Sequence, residues 1–346
     1  MAIPTIDFEL IHEPTARKEL LSDLLHAILE VGAFYIINPP FEADLFSSLK
    51  AQCQGFFDLP REEKMKVDMV NVPSFLGYAA LGTEVTGGRT DWREHFTVAS
   101  KHQGKIDGPI YRNLLGPCPW PSEDALPGFS SVVNKLIEGN AVVATTVQSR
   151  IAEALGIDEI LLNSFFDEQR QYRARMIKYP APPESDQAST QGLGAHQDTA
   201  FATIIYQLTD HESLQLQNAQ GDWVDCSPVP GTLLYVFGKS SNAITHGVCR
   251  APWHRVIPPE AGSGDRYSIA IGTGIGLDTS LAAPETKRML GELKTKLQAQ
   301  YPNMDDTLHE YLQLDEQSPT VGMKVFYNYA RSYPNITKKW YPDFKI

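Results

Sequence analysis

Two hydrophobic periods divide this chain. In its first half apolar positions recur every three to four residues: Leu20, Leu21, Leu24, Leu25, Ile28 and Leu29 trace one face of a helix, and Gly32 stands where such a helix stops. A second helix is predicted over 42–57, ending before Leu59-Pro60, and a short helical turn over 61–66. Val132, Val133, Leu136, Ile137, Val143, Val147, Ile151 and Leu155 set one buried stripe along a long helix over 128–155, closed by Gly156, with a shorter helix near 158–166. The short apolar runs at 3–8 and 33–37 read as strands, and the glycine-broken stretch 71–121 as loop-rich, a candidate for much of a pocket wall.

Beyond residue 172 the period falls to two. Strands are predicted at 173–179, 200–208, 213–217, 223–226, 232–237, 253–257 and 267–272, with 219–222 as a hairpin turn. Helical spacing returns at 284–300 and 320–331. Many short strands behind a helical half predict a mainly β fold with flanking helices, α+β in class. The core would be a double-stranded β-helix, or jelly roll. We expect one domain over 1–346: a helix-rich portion 1–170, a jelly-roll core 171–280 and C-terminal helices 281–346.

Charge narrows the partners. A net charge of -12 without any Lys/Arg cluster argues against nucleic acid and against an anionic membrane surface, since both need concentrated positive charge. A small organic molecule is the expected partner. Cys53, Cys118, Cys226 and Cys249 lie far apart with no Cys-x-x-Cys pair, so the pattern indicates isolated thiols in a reducing compartment. The start of the chain has no basic, apolar leader pattern, and a cytoplasmic location is expected. Oligomeric state leaves no mark in the pattern.

The chemistry concentrates in three residues. His196 and Asp198, in Ala195-His196-Gln197-Asp198-Thr199, are two apart, a spacing that puts both on one face of a strand, and His254 in Trp253-His254-Arg255-Val256 supplies a second imidazole. Two imidazoles and one carboxylate leave half of an octahedral metal open, the arrangement of non-haem Fe(II) sites that activate dioxygen. Downstream, Arg266 and Ser268 are again two apart, and a guanidinium with a hydroxyl suits a carboxylate.

These residues resemble the isopenicillin N synthase-like branch of the Fe(II)- and 2-oxoglutarate-dependent dioxygenases. The resemblance runs from Ile3-Pro4-Thr5-Ile6-Asp7-Phe8 through Gly32-Ala33-Phe34-Tyr35, Phe56-Phe57-Asp58-Leu59-Pro60 and Lys178-Tyr179-Pro180 to the segment from His196 to Ser268. It implies that His196, Asp198 and His254 ligate iron(II), and that Arg266, Ser268 and Tyr179 bind the remote carboxylate of 2-oxoglutarate. It further implies that O2 is consumed and a C–H bond of a small, largely apolar metabolite is oxidised, by hydroxylation, desaturation or rearrangement, with release of succinate and CO2. Specialised metabolism is the expected setting. The chain departs from the pattern at Ile177, where many plant relatives carry Asn, at Lys239 after Gly238, where Asp is common, and at His246-Gly247, where Asn-Gly is common.

Two rival readings stand beside this one. In an oxidase like isopenicillin N synthase, Arg266 and Ser268 would grip the substrate's own carboxylate and no 2-oxoglutarate would be consumed. In a non-catalytic binding module the fold would persist without turnover, although such a module has no need of three ligands plus an anion grip. Zinc hydrolysis leaves Arg266 and Ser268 without a role. Candidate substrate contacts are His246, Phe201, Tyr78 and Phe237; His95 reads as a packed histidine, and His12, His26, His102, His211 and His309 as surface or structural residues.

Overall fold

A computed structural model describes residues 2–102, 107–168, 170–186, 190–280, 282–302 and 319–345 of the chain. His309 lies outside the described residues. The strands in order are β1 (Thr5–Asp7), β2 (Ala33–Ile37), β3 (Gly77–Ala79), β4 (Val85–Thr86), β5 (Arg89–Thr90), β6 (Glu94–Ala99), β7 (Tyr172–Tyr179), β8 (Leu193–His196), β9 (Ala202–Gln207), β10 (Leu214–Gln217), β11 (Trp223–Asp225), β12 (Leu233–Phe237), β13 (His254–Val256) and β14 (Arg266–Thr273). The main helices are α1 (Arg17–His26), α2 (Leu45–Asp58), α3 (Arg61–Lys66), α4 (Phe129–Ala154), α5 (Glu159–Asn163), α6 (Lys239–Ile244), α7 (Pro284–Gln300), α8 (Val321–Ser332) and α9 (Pro334–Trp340).

Two sheets form the jelly roll. The major sheet runs β1-β2-β12-β9-β14-β7-β6-β3, antiparallel except where β1 lies parallel to β2, and the minor sheet runs β11-β10-β13-β8. Strand alternation decides which side chain goes where. On the outer face Ile204 and Tyr206 of β9, Tyr235 and Phe237 of β12, Ile269 and Ile271 of β14, and Ala174 and Met176 of β7 pack under α1, α2 and α4 in the largest apolar cluster. The stripe of α4, including Val133, Leu136, Ile137, Val143 and Val147, is the lid of that cluster.

On the inner face Ile177, Ile205, Leu234 and Val236 meet Leu193, Leu214, Leu216 and Val256 of the minor sheet. At ~25 cal/mol per Å² of apolar area, each fully buried residue of this kind contributes about 1.5–3 kcal/mol. That packing fixes the spacing between the sheets.

α1 passes into a five-residue π-turn, Ala27–Val31, that ends at Gly32 with φ +83. A Cβ there would meet the Arg250 carbonyl at 2.7 Å, so both the left-handed turn and the close approach demand glycine.

Two expectations need correction. The loop-rich stretch 71–121 also holds strands the pattern did not predict, since β3 and β6 complete one edge of the major sheet and β6 is buried throughout. Its inward polar side chains, His95 and Thr97, interrupt the apolar alternation and hide the strand, since they are paired with one another inside the barrel. The second concerns Asp198, which lies beyond the end of β8, in the turn leading to β9, rather than on the strand with His196.

Candidate metal centre and cavity

β8 and β13 are neighbours, and their register sets His196 directly opposite His254. The two rings stand 4.1 Å apart, and the Asp198 carboxylate reaches back to Nε2 of His196 at 3.5 Å and Nε2 of His254 at 3.7 Å. Ligand atoms of all three residues fall within 4.8 Å of one another. Tight backbone contacts hold the Asp198 turn: the Lys239 N–H donates to the Asp198 carbonyl at 2.7 Å, and a Cβ on Gly238 would meet the Ala200 carbonyl at 2.1 Å. The unusual Lys239 therefore serves the turn through its backbone.

The donor chemistry fits a divalent iron. His196 Nδ1 lies 2.9 Å from the Gly194 carbonyl and His254 Nδ1 lies 3.3 Å from the Pro252 carbonyl. A carbonyl only accepts, so each Nδ1 carries the proton and each Nε2 presents a lone pair towards Asp198. Burial, with His196 beside it, pushes His254 down to about 4, which leaves its imidazole neutral at pH 7. Burial raises the Asp198 carboxyl, but attraction to His254 and His196 whenever those rings are protonated, with the Thr203 hydroxyl, holds it well below the usual carboxylate range. A divalent metal bound here would meet two imidazole Nε2 atoms and one carboxylate.

The centre faces a cavity of about 350 Å³ whose walls include Tyr179, Arg266 and Ser268. Strand pairing brings these together: Arg266 is opposite Tyr179 and Ser268 is opposite Ile177 across β14 and β7. Arg266 is 2% exposed; its Nη1 donates to Ser268 Oγ at 3.2 Å, its Nη2 donates to Gln207 Oε1 at 3.2 Å, and it lies 5.0 Å from the Tyr179 ring centre. Burial pushes its pKa down, against the influence of Tyr179. Among the described residues no carboxylate pairs with it, so this buried cation is set to receive one from a ligand. Gln207 escaped the sequence reading, although it stands on the inward face of β9 beside Ser268.

The four candidate substrate contacts are placed elsewhere. Phe237 and Tyr78 belong to the cluster under the helices, because alternation turns them to the outer face, and the Tyr78 hydroxyl donates to Glu94 at 2.6 Å. Phe201 joins the same cluster, edge-on to Phe166 at 5.2 Å. His246, at φ +49, has its Nε2 3.1 Å from the Leu290 carbonyl of α7. None of the four is among the cavity walls. His95 is fully buried between Thr97 and Glu84, a packed histidine, and burial holds it down at about 4. The walls beyond the metal come instead from β7 (Arg173, Arg175), the Leu114-Leu115 turn, and α8 (Val321, Val325, Tyr329).

Comparison with known proteins agrees with this architecture. Residues 3–123 match the family model described as non-haem dioxygenase in morphine synthesis N-terminal, and residues 169–273 match that of the 2OG-Fe(II) oxygenase superfamily. The chain is 36% identical over 346 residues to the 2-oxoglutarate-dependent dioxygenase frbJ of Dothideomycetidae sp., covering 99% of this chain and 93% of that one. It is 30% identical over 350 residues to a 2-oxoglutarate-dependent dioxygenase of Gibberella zeae, covering 99% and 92%. A full-length Neurospora crassa protein, solved in complex with alpha-KG and thymine, superposes with a TM-score of 0.69 at 25% identity, covering 85% of this chain and 96% of that one. With its jelly roll, its His-Asp-His cluster and relatives matched along almost its whole length, the chain belongs to the Fe(II)- and 2-oxoglutarate-dependent oxygenases.

Proposed function

We propose that His196, Asp198 and His254 hold the iron of this oxygenase, that Arg266, Ser268 and Tyr179 hold the remote carboxylate of 2-oxoglutarate, and that the substrate lies between β7 and α8. The observation that carries the reading is the pair of imidazoles whose Nδ1 protons are committed to backbone carbonyls, with both Nε2 atoms turned to one carboxylate. With 2-oxoglutarate and O2, bound iron(II) supplies the oxidation of a C–H bond, with succinate and CO2 released. The chain's own groups do the rest. Arg266 and Ser268 orient the co-substrate, Tyr179 packs on the guanidinium, and the apolar walls exclude water and select the bond presented.

The substrate is a small molecule. Two plant relatives are named as a flavonoid demethylase and a codeine demethylase, which supports placing this enzyme in specialised metabolism. The four free cysteines support a cytoplasmic location. Among the described residues no helix is long and apolar enough to cross a membrane. The 2-oxoglutarate-consuming reading is favoured over an oxidase that uses only its substrate's carboxylate, because the two relatives matched along nearly the whole chain are both named for 2-oxoglutarate dependence. Succinate formation tests it: the purified protein with Fe(II), 2-oxoglutarate and air should yield succinate, and strict indifference to 2-oxoglutarate would exclude it.

A further inference from the structure

The cavity is cationic inside an acidic protein. Besides Arg266, its walls carry Arg93, Arg170, Arg173 and Arg175. Arg93 lies 2.8 Å from Glu84 and 3.6 Å from Asp91, and Arg175 reaches the same Glu84 only at 3.7 Å. Arg173 donates to the carbonyls of Leu114, Ser74 and Phe75, and Arg170 donates to the side-chain oxygens of Gln148 and Asn163, all neutral acceptors. Among the described residues neither Arg170 nor Arg173 has a carboxylate partner. Asp167 is the further acid in this part of the wall. Four guanidiniums thus face three carboxylates, one cation in excess.

The metal end does not absorb that excess. Iron(II), the Asp198 carboxylate, dianionic 2-oxoglutarate and Arg266 together sum to zero charge. Arg175 stands four residues before Tyr179 on the same strand face, roughly 13 Å along β7, so it is a separate group from the co-substrate's grip. Its side chain is 24% exposed where it lines the cavity, and its contact with Glu84 is long. Arg175 shares Glu84 with Arg93, and a desolvated wall holding one more cation than acids is unfavourable until an anion meets it. Around it Leu114, Leu277, Val321 and Val325 offer apolar surface.

Resting on the site assignment above, we infer that the substrate is a monoanion: an apolar body whose carboxylate end is received by Arg175, with its oxidised carbon held towards His196, Asp198 and His254. Two independent features support it, the charge excess and the separation of Arg175 from Arg266 along β7.

The test uses binding, not turnover. The full-length protein is loaded anaerobically with Fe(II) and 2-oxoglutarate, and loading is confirmed first by calorimetry. It is then titrated with straight-chain and aryl-substituted carboxylic acids of increasing length, each paired with its own primary amide as the neutral twin. Acids should bind roughly ten- to a hundredfold tighter than their amides, the worth of a charge-assisted bond in a buried site. Arg175→Gln should abolish the preference and Arg175→Lys should retain part of it. Because Arg175→Gln also loosens Glu84, its loading with iron and 2-oxoglutarate is measured as the check on folding, while the wild-type comparison of acid with amide needs no variant. Amides binding as tightly as acids, or no acid binding the loaded protein, would overturn the inference. Failure of the loading step itself would instead overturn the metal and co-substrate assignment.

Discussion

Replacing Arg266 with Met separates stability from ligand binding. The guanidinium is 2% exposed and is met by the neutral Ser268 and Gln207 and by the Tyr179 ring, so the free protein carries a buried cation without a carboxylate. Methionine fills the stem volume and removes the charge, and the lost ring contact, about 1–2 kcal/mol, is offset by the desolvation no longer incurred. The metal-loaded variant without co-substrate should therefore melt within about 2 °C of the wild type. Binding behaves differently. Losing one partner of a buried charge pair costs about 2–5 kcal/mol, a thirty- to several-thousandfold loss of 2-oxoglutarate affinity.

At a hundred times its dissociation constant the co-substrate stabilises the wild type by about 2.7 kcal/mol. With about 2.1 cal/mol/K of unfolding entropy per residue over 346 residues, that is an upward shift of about 4 °C. Differential scanning fluorimetry with Mn(II) in place of iron, with and without 2-oxoglutarate, reads both quantities. Arg266→Met should keep its melting point and lose the shift. A variant that folds and still shows the full shift would refute the carboxylate grip, and Arg266→Lys, which keeps a charge but not the fork, should fall between the two.

Gly238→Ala should weaken metal binding at least tenfold, because its Cβ would collide with the Ala200 carbonyl and push aside the turn carrying Asp198; a titration of Mn(II) by calorimetry checks this. Phe237→Ala should cost about 3–5 kcal/mol in urea unfolding yet leave 2-oxoglutarate affinity within twofold, since its ring lies under the helices and not in the cavity. His95, held near 4 by burial, takes up its proton more readily when unfolded, so stability should fall as pH drops from about 6.5 towards 4 and be fully present above that window, by up to about 3 kcal/mol. Chemical denaturation of metal-free protein at pH 7 and pH 5 should show a smaller loss for His95→Gln than for the wild type; equal losses would contradict the assignment.

Much of this was legible in the sequence because the relevant signals are local. The change of period near residue 172 marks the passage from α4 and α5 into the barrel, and the stop at Gly32 falls where the π-turn ends. His196, Asp198 and His254, which the structure brings within 4.8 Å of one another, and the Arg266-Ser268 pair stood out in the sequence by residue type and spacing. Their meeting depends on the register of β8 against β13 and of β14 against β7, which pairs residues 58 and 87 positions apart and leaves no local trace.

The substrate wall was misread for a related reason. Phe201, Phe237 and Tyr78 drew attention as large aromatic side chains, but alternation turns Phe237 and Tyr78 outwards and Phe201, just before β9, packs with them under the helices. The alternating Arg173, Arg175 and Tyr179 was the better signal, since polar groups on the inner face of a predicted strand imply a polar interior.

The central claim is that three side chains meet on one iron. Crystals grown anaerobically with Fe(II) and 2-oxoglutarate, with data collected across the iron absorption edge, test it most directly. The account predicts one anomalous peak within about 2.0–2.3 Å of Nε2 of His196, Nε2 of His254 and a carboxylate oxygen of Asp198. Iron bound elsewhere, or no iron between these three residues in a protein that otherwise keeps this fold, would contradict it.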